Sequence, residues 1–345
     1  MLIEALILLL ALIGIVLAAE LFTNGIEWLG QRLNLSEGVV GSILAAVGTA
    51  LPETLIPIVA ILFFGHKDGA EVGIGAIAGA PFMLSTLTLA ICGMSVLGFA
   101  KAGIRSPELA INSKLLVRDL NFFLVAFSLA LLATFVSSYV HVRWMIAIAL
   151  VSIYPYYVFK TFQHSGEVGE EPEHLHLERL FKTGDPNRLR LIIPQVLLGS
   201  IGIIGGAFVF VDHIDDLSNY LGISPTILSL IITPVATELP EKINSVLWSR
   251  KGKDTLALSN ITGALVFQSC FPVAFGVATT EWNLQPGTIC TCAMALISAF
   301  IYCRLIDAGK LKAAHLTCGF IAYAIAISLL LYLAPVHRAH SVIVR

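Results

Sequence analysis

The segments "GTALPET" (Gly48–Thr54) and "ATELPEK" (Ala236–Lys242) each set a proline and a carboxylate inside a long apolar run. Thr49 and Glu53 are four residues apart, so they stack on one face of a helix, as do Thr237 and Glu241. Pro52 has no N–H and crowds the turn before it, which releases the carbonyl of Gly48; Pro240 releases that of Ala236. Each segment therefore offers a carboxylate, a hydroxyl and a loose carbonyl within one turn. All are hard oxygen donors, which suit calcium or sodium better than softer metals. Calcium takes about six to eight oxygens, too many for one segment but within reach of two that meet. An acid at the centre of a bilayer costs about 2.5–3.5 kcal/mol. Such residues face the protein interior and mark ion pathways. A kink with its carboxylate paired to a neighbour would explain either segment alone, but not the recurrence.

The matching extends outward. "SEGVVGSILAAVGTALPET" from Ser36 aligns without a gap on "SPTILSLIITPVATELPEK" from Ser224, pairing Ser36 with Ser224, Val47 with Val235 and Glu53 with Glu241. Further on, "AGAPFMLS" (Ala78–Ser85) stands opposite "TGALVFQS" (Thr262–Ser269). The surrounding composition is that of a membrane protein. Of 345 residues 57% are hydrophobic and 13% charged, against about 25% charged in soluble domains. Ten spans are expected, at roughly 3–22, 37–64, 72–99, 119–139, 143–163, 190–211, 224–249, 254–279, 287–306 and 311–335. The polar stretch from His164 to Arg190 separates two sets of five. The expected division is thus 1–163, a loop at 164–189, and 190–345.

Basic residues orient the chain. One set of alternate loops holds Arg32, Lys101, Arg105, Lys114, Arg118, Lys160, Arg179, Lys182, Arg188, Arg190, Arg250, Lys251, Lys253, Arg304, Lys310 and Lys312. The other side holds Lys67, Arg143, Arg338 and Arg345, with the acidic "DHIDD" at Asp212–Asp216. The basic side is expected to be cytoplasmic, with both termini outside and the central loop inside. Five spans, an odd number, separate the two motifs, so they cross in opposite directions. This is an inverted repeat, an arrangement typical of secondary transporters that hold substrate near the midplane. The fold class expected is all-α integral membrane, ten transmembrane helices in two inverted five-helix repeats.

"GSILAAVGTALPE" and "ILSLIITPVATELPE", in inverted halves, resemble the paired α-repeats of the cation/calcium exchanger superfamily. "TNGIEWLGQRLNLSEGVVG" is similar to that family's approach to its first repeat. The resemblance implies ten helices and antiport of calcium against sodium, protons or potassium. It implies metal-binding acids at Glu53 and Glu241, with hydroxyls one turn earlier at Thr49 and Thr237. The family's serine after that threonine is replaced by Ala50 and by Glu238. Its partner helices usually read GSN, with an Asn or Asp one turn on. Here they read Gly79, Ala80 and Leu84 in one copy, and Gly263, Ala264 and Gln268 in the other. Leu84 cannot ligate, whereas Gln268 offers a neutral carbonyl oxygen. Asn260 either helps or packs between helices.

The candidate metal set is therefore Glu53, Glu241, Glu238, Thr49, Thr237, Gln268 and the carbonyls of Gly48 and Ala236, with Lys242 and Asn260 as modulators. Glu238 and Glu241 can face one cavity. Lys242 lies four residues after Glu238, an ion-pair spacing. Its ammonium either takes the place of a monovalent ion or pairs with Glu238 and snorkels. Ser85, Thr86 and Ser269 are expected to tie helices together, and Glu20 and Glu27 to sit at the interface. His174 and His176, with Glu173 and Glu178, are expected on a short solvated helix rather than at a metal. The six cysteines are read as packed thiols.

The function expected is calcium efflux in exchange for sodium by alternating access, with rocking of the first and sixth helices as the family implies. A proton/calcium exchanger of the same fold is the alternative. No GxxxxGK[ST] motif appears, so no cofactor is expected and the driving energy is a second ion's gradient. HExxH and GxSxG are absent, against an intramembrane enzyme, and no clear selectivity filter suggests a channel. The partners expected are the lipid bilayer of the plasma (inner) membrane and small inorganic cations, not nucleic acid. Oligomeric state is open at this point.

Overall fold

The computed structural model describes residues 2–32, 51–64, 69–162, 175–181 and 189–333, in which the regular elements are helices joined by short turns and loops. In chain order they form α1 (Leu2–Arg32), α2 (Leu51–Phe63), α3 (Ala70–Lys101), α4 (Ser113–Phe135), α5 (Val140–Phe162) and α6 (His176–Phe181). There follow α7 (Leu189–Leu221), α8 (Pro225–Thr237), α9 (Leu239–Arg250), α10 (Asp254–Thr279), α11 (Pro286–Asp307) and α12 (Ala313–Tyr332). Eight of the described helices are long and apolar enough to cross a membrane; α2 and α8 contribute shorter apolar stretches, Pro52–Phe63 and Pro225–Val235. Large apolar side chains stand outward on the long helices: Leu6, Leu10 and Leu17 on α1, Trp144, Met145 and Ile148 on α5, and Leu197, Leu198 and Ile201 on α7. A surface this apolar belongs in lipid, where helices satisfy their own backbone groups. The molecule is an all-α integral membrane protein.

Two apolar cores organise it. The larger draws on α3, α4, α5, α10, α11 and α12 and contains Phe82, Phe123, Phe127, Tyr154, Phe267 and Leu330. The smaller joins α1, α2 and α7 through Ile15, Ile56, Phe210 and Ile214. α1 and α7 run antiparallel along most of their lengths. At one end His213 Nδ1 lies 2.7 Å from Glu4 Oε2; at the other Gln195 Nε2 donates to Asn24 Oδ1 at 2.9 Å and to Leu21 O at 2.9 Å. Between these ties Gly202 lies against Ala18, where an added Cβ would come within 2.6 Å of the Ala18 Cβ. The absence of a side chain there lets the two backbones close up.

The helices around the breaks have definite directions. Gly73 of α3 faces Pro57 and Ile61 of α2, while Gly69 just ahead of α3 faces Ala60 and Phe64, so α2 and α3 run antiparallel. Gly75 and Gly79 of α3 face Thr226 and Leu230 of α8, so α3 and α8 run parallel. α2 and α8 are therefore opposed. A Cβ at Gly79 would collide with the carbonyl of Leu230 and reach Pro234 at 2.9 Å, which makes glycine necessary for this approach. On the side of the Lys/Arg-rich loops, Arg105 grips Asp254 at the start of α10 through both guanidinium nitrogens, at 2.5 and 2.7 Å. The same guanidinium donates to Ser249 O at 2.6 Å. This bidentate geometry is the strong form of the pair.

Candidate functional site

α8 stops at Thr237 and α9 begins at Leu239, with Glu238 as the single residue between, at φ −83° and ψ 8°. Pro240 in the first turn of α9 has no N–H to continue the ladder. Glu241 also stands in that first turn, and Glu53 stands in the first turn of α2. Glu241 thus sits at a helix N-terminus, where the aligned peptide dipoles favour negative charge. The opposed directions of α2 and α8 bring the two acids together. One carboxylate oxygen from each of Glu53, Glu238 and Glu241 lies within 4.8 Å of the others. All three residues are buried, at 3%, 0% and 1% exposure.

Gln268 reaches the cluster from α10. Its Nε2 donates to Glu238 Oε1 at 2.7 Å. Glu238 Oε2, both oxygens of Glu53 and Gln268 Oε1 have no hydrogen-bond partner at bonding geometry among the described residues. Buried polar atoms left so are costly unless something else satisfies them. Beside Glu53, the Thr237 hydroxyl donates to Thr233 O at 3.1 Å. A ladder of hydroxyls continues from there: Thr233 Oγ1 lies 3.1 Å from Ser229 Oγ, which donates to Val72 O at 2.8 Å. Three carboxylates at this spacing repel strongly in a dry interior, and a cation among them removes the repulsion. The arrangement can hold a hard cation.

Lys242 lies elsewhere than its spacing suggests. Its ammonium donates to Pro234 O at 3.0 Å, Val235 O at 3.3 Å and Met83 Sδ at 3.1 Å rather than to Glu238. The carbonyls at the open end of α8 attract a cation, and they lie closer to Nζ than the i−4 acid does. Met83 was not legible as a participant. It is 159 residues from Lys242 in sequence, and its thioether carries no motif. A hint lies in Pro81, whose missing N–H precedes a π-helical turn over Leu84–Thr88 in α3. Such turns often mark functional sites.

Asn260 packs between helices, with Nδ2 donating to Glu241 O at 3.3 Å and Ser245 Oγ at 3.4 Å. Ser85, Thr86 and Ser269 do not tie helices together. Their hydroxyls donate to Pro81, Phe82 and Val266 carbonyls of their own helices, as serine and threonine do inside apolar helices. Ala236 occupies the last turn of α8. Gly48 and Thr49 lie outside the described residues, as do Glu173 and His174. His176 opens the short helix α6, where its N–H donates to Asn24 Oδ1 at 3.2 Å and its Nε2 lies 3.5 Å from Glu20 Oε1.

Comparison with known proteins agrees with this geometry. The inner membrane protein YrbG of Escherichia coli is 20% identical over 342 residues, 97% of this chain and 99% of YrbG. The solved H+/Ca2+ exchanger CAX superposes with a TM-score of 0.72 at 16% identity, covering 96% of this chain and 87% of that one. The sodium-calcium exchanger NCX_Mj superposes with a TM-score of 0.58 at 20% identity, covering 95% and 98%. These likenesses share the fold. The sodium/calcium exchanger protein family matches residues 3–163 and 192–334, most of the chain. The chain belongs to the sodium/calcium exchanger protein family: it is a secondary active cation antiporter, not an enzyme.

Proposed function

We propose that this antiporter exchanges calcium for sodium, binding the divalent ion among Glu53, Glu238 and Glu241. The observation that carries the reading is the buried three-carboxylate cluster formed where α2 meets the break between α8 and α9. Gln268 Oε1 and the Thr237 hydroxyl add neutral oxygens. Gly48 O, Thr49 and the Ala236 carbonyl complete the shell in this reading, and Asn260 sets the position of α9 through Glu241 O. Six to eight oxygens at about 2.3–2.6 Å would satisfy calcium. Three carboxyls in one buried cluster favour a divalent cation over a neutral solute.

The reading includes ten spans. The eight long helices are joined by two broken ones, at 37–64 and 224–249, which are the two that carry the motifs. The halves 1–163 and 190–345 are inverted copies about the loop 164–189. The antiparallel α1/α7 pair and the opposed α2 and α8 support that symmetry. Both termini lie outside and the loop lies in the cytoplasm, in keeping with the basic-residue distribution. The plasma (inner) membrane is the location, which the name of YrbG favours.

A proton/calcium exchanger is the second reading. It draws on the likeness to CAX and on the capacity of carboxylates to carry protons as well as metal. Radiocalcium uptake into vesicles under imposed sodium or pH gradients separates the two. Uptake driven by sodium and lost, by about a hundredfold or more, in both Glu53→Gln and Glu241→Gln is expected. Removing a ligand charge from a dehydrated site costs several kcal/mol. Uptake that needs only a pH gradient would select the proton reading, and wild-type uptake retained in both variants would reject the site.

A further inference from the structure

Four ionisable side chains gather at the break between α8 and α9: the carboxyls of Glu53, Glu238 and Glu241 lie together, and Lys242, the residue after Glu241, seats its Nζ on the carbonyls of the α8 turn that leads into Glu238. The ammonium is 8% exposed at the residue level and is tethered in place by two carbonyls and a thioether. With the three carboxyls ionised around bound cations and the Lys242 amine protonated, the protein's own groups give the loaded site a charge of −2. A transporter moves its loaded site through a low-dielectric interior, where net charge is penalised. One divalent ion cancels the site charge, and so do two sodium ions. A third sodium would leave the loaded site positive.

We infer that Lys242 is a built-in cation that fixes the exchange at two monovalent ions per divalent ion, so that transport moves no net charge. This rests on the calcium/sodium reading above. A lysine that only capped the end of α8 would leave the coupling ratio untouched, so the ratio distinguishes the two roles. Removing the charge raises the deficit to −3. Three sodium ions then balance the site, and each cycle carries one net charge against a single calcium.

The test is the steady calcium ratio across proteoliposomes of the purified chain, with a fixed sodium gradient and a potential clamped by potassium and valinomycin. With wild type, a tenfold sodium gradient sustains about a hundredfold calcium ratio, and the potential does not move it. In Lys242→Met, a change of about 60 mV shifts the ratio about tenfold, the step for one charge. Lys242→Arg keeps the wild-type behaviour. A wild-type ratio that follows the potential overturns the inference, even if Lys242→Met fails to fold. So does a transporting Lys242→Met that ignores the potential. Absence of calcium accumulation under any sodium or pH gradient overturns instead the calcium reading on which it stands.

Discussion

Gln268 holds a carboxylate with one end of its amide and leaves the other end open to the same space. Its Nε2 donates to Glu238 Oε1 at 2.7 Å, which fixes the carboxyl within the cluster it forms with Glu53 and Glu241. A hydrogen bond to a charged partner contributes about 1.5–3 kcal/mol. Gln268→Leu removes it together with a neutral oxygen of similar reach. The calcium concentration for half-maximal uptake is expected to rise about tenfold or more, with Gln268→Glu departing in the sodium dependence instead. Glu53 and Glu241 were legible in the sequence because the same spacing of threonine, proline and acid occurs twice. Glu238 was legible as an extra acid in one copy. The seat of Lys242 was not, because its i+4 spacing pointed to Glu238 whereas three partners, one on a distant helix, compete more effectively.

Among the elements, the contact of α3 with α8 sets the position of the break. Gly75 and Gly79 let the α3 backbone lie against the Thr226 and Leu230 carbonyls, and Pro234 closes over Gly79. Pro234 O is one of the two carbonyls that seat Lys242. Overpacking such a contact costs about 1–3 kcal/mol. Gly79→Val is therefore expected to lower the radiocalcium uptake rate about tenfold while the protein still inserts and elutes as a folded species from size exclusion. Uptake at the wild-type rate would show that α3 does not position the site. The long apolar helices were plain from composition. The disturbance at Pro240 was legible from the proline, but the full break at Glu238 was not, since a hydropathy window averages over a one-residue gap and registers no change in helix direction.

At the scale of the molecule, the carboxylate cluster bridges the two cores, since Glu53 stands on α2 of the smaller core and Gln268 on α10 of the larger. The cluster of carboxylates lies where α2, α8, α9 and α10 converge, and the larger core backs it through α3, α4 and α10. Arg105 and Asp254 lock the Lys/Arg-rich loop side of that core. The opposed directions of α2 and α8 were expected from the motif pair, whereas the grouping of α1 with α7 needed long-range contacts that no local pattern encodes. Those two helices are fastened to each other at both ends, by Glu4 with His213 and by Asn24 with Gln195. They consequently behave as one beam. A tether from the beam to α2, through Phe63→Cys and Phe208→Cys, whose rings lie 5.1 Å apart, stalls turnover until reductant is added, in a background with the six native cysteines replaced by alanine. A stall in that variant would mean that the rate is set by how freely a stiff double rod slides past its neighbours, a mechanical property of the scaffold and separate from the grip on the cargo.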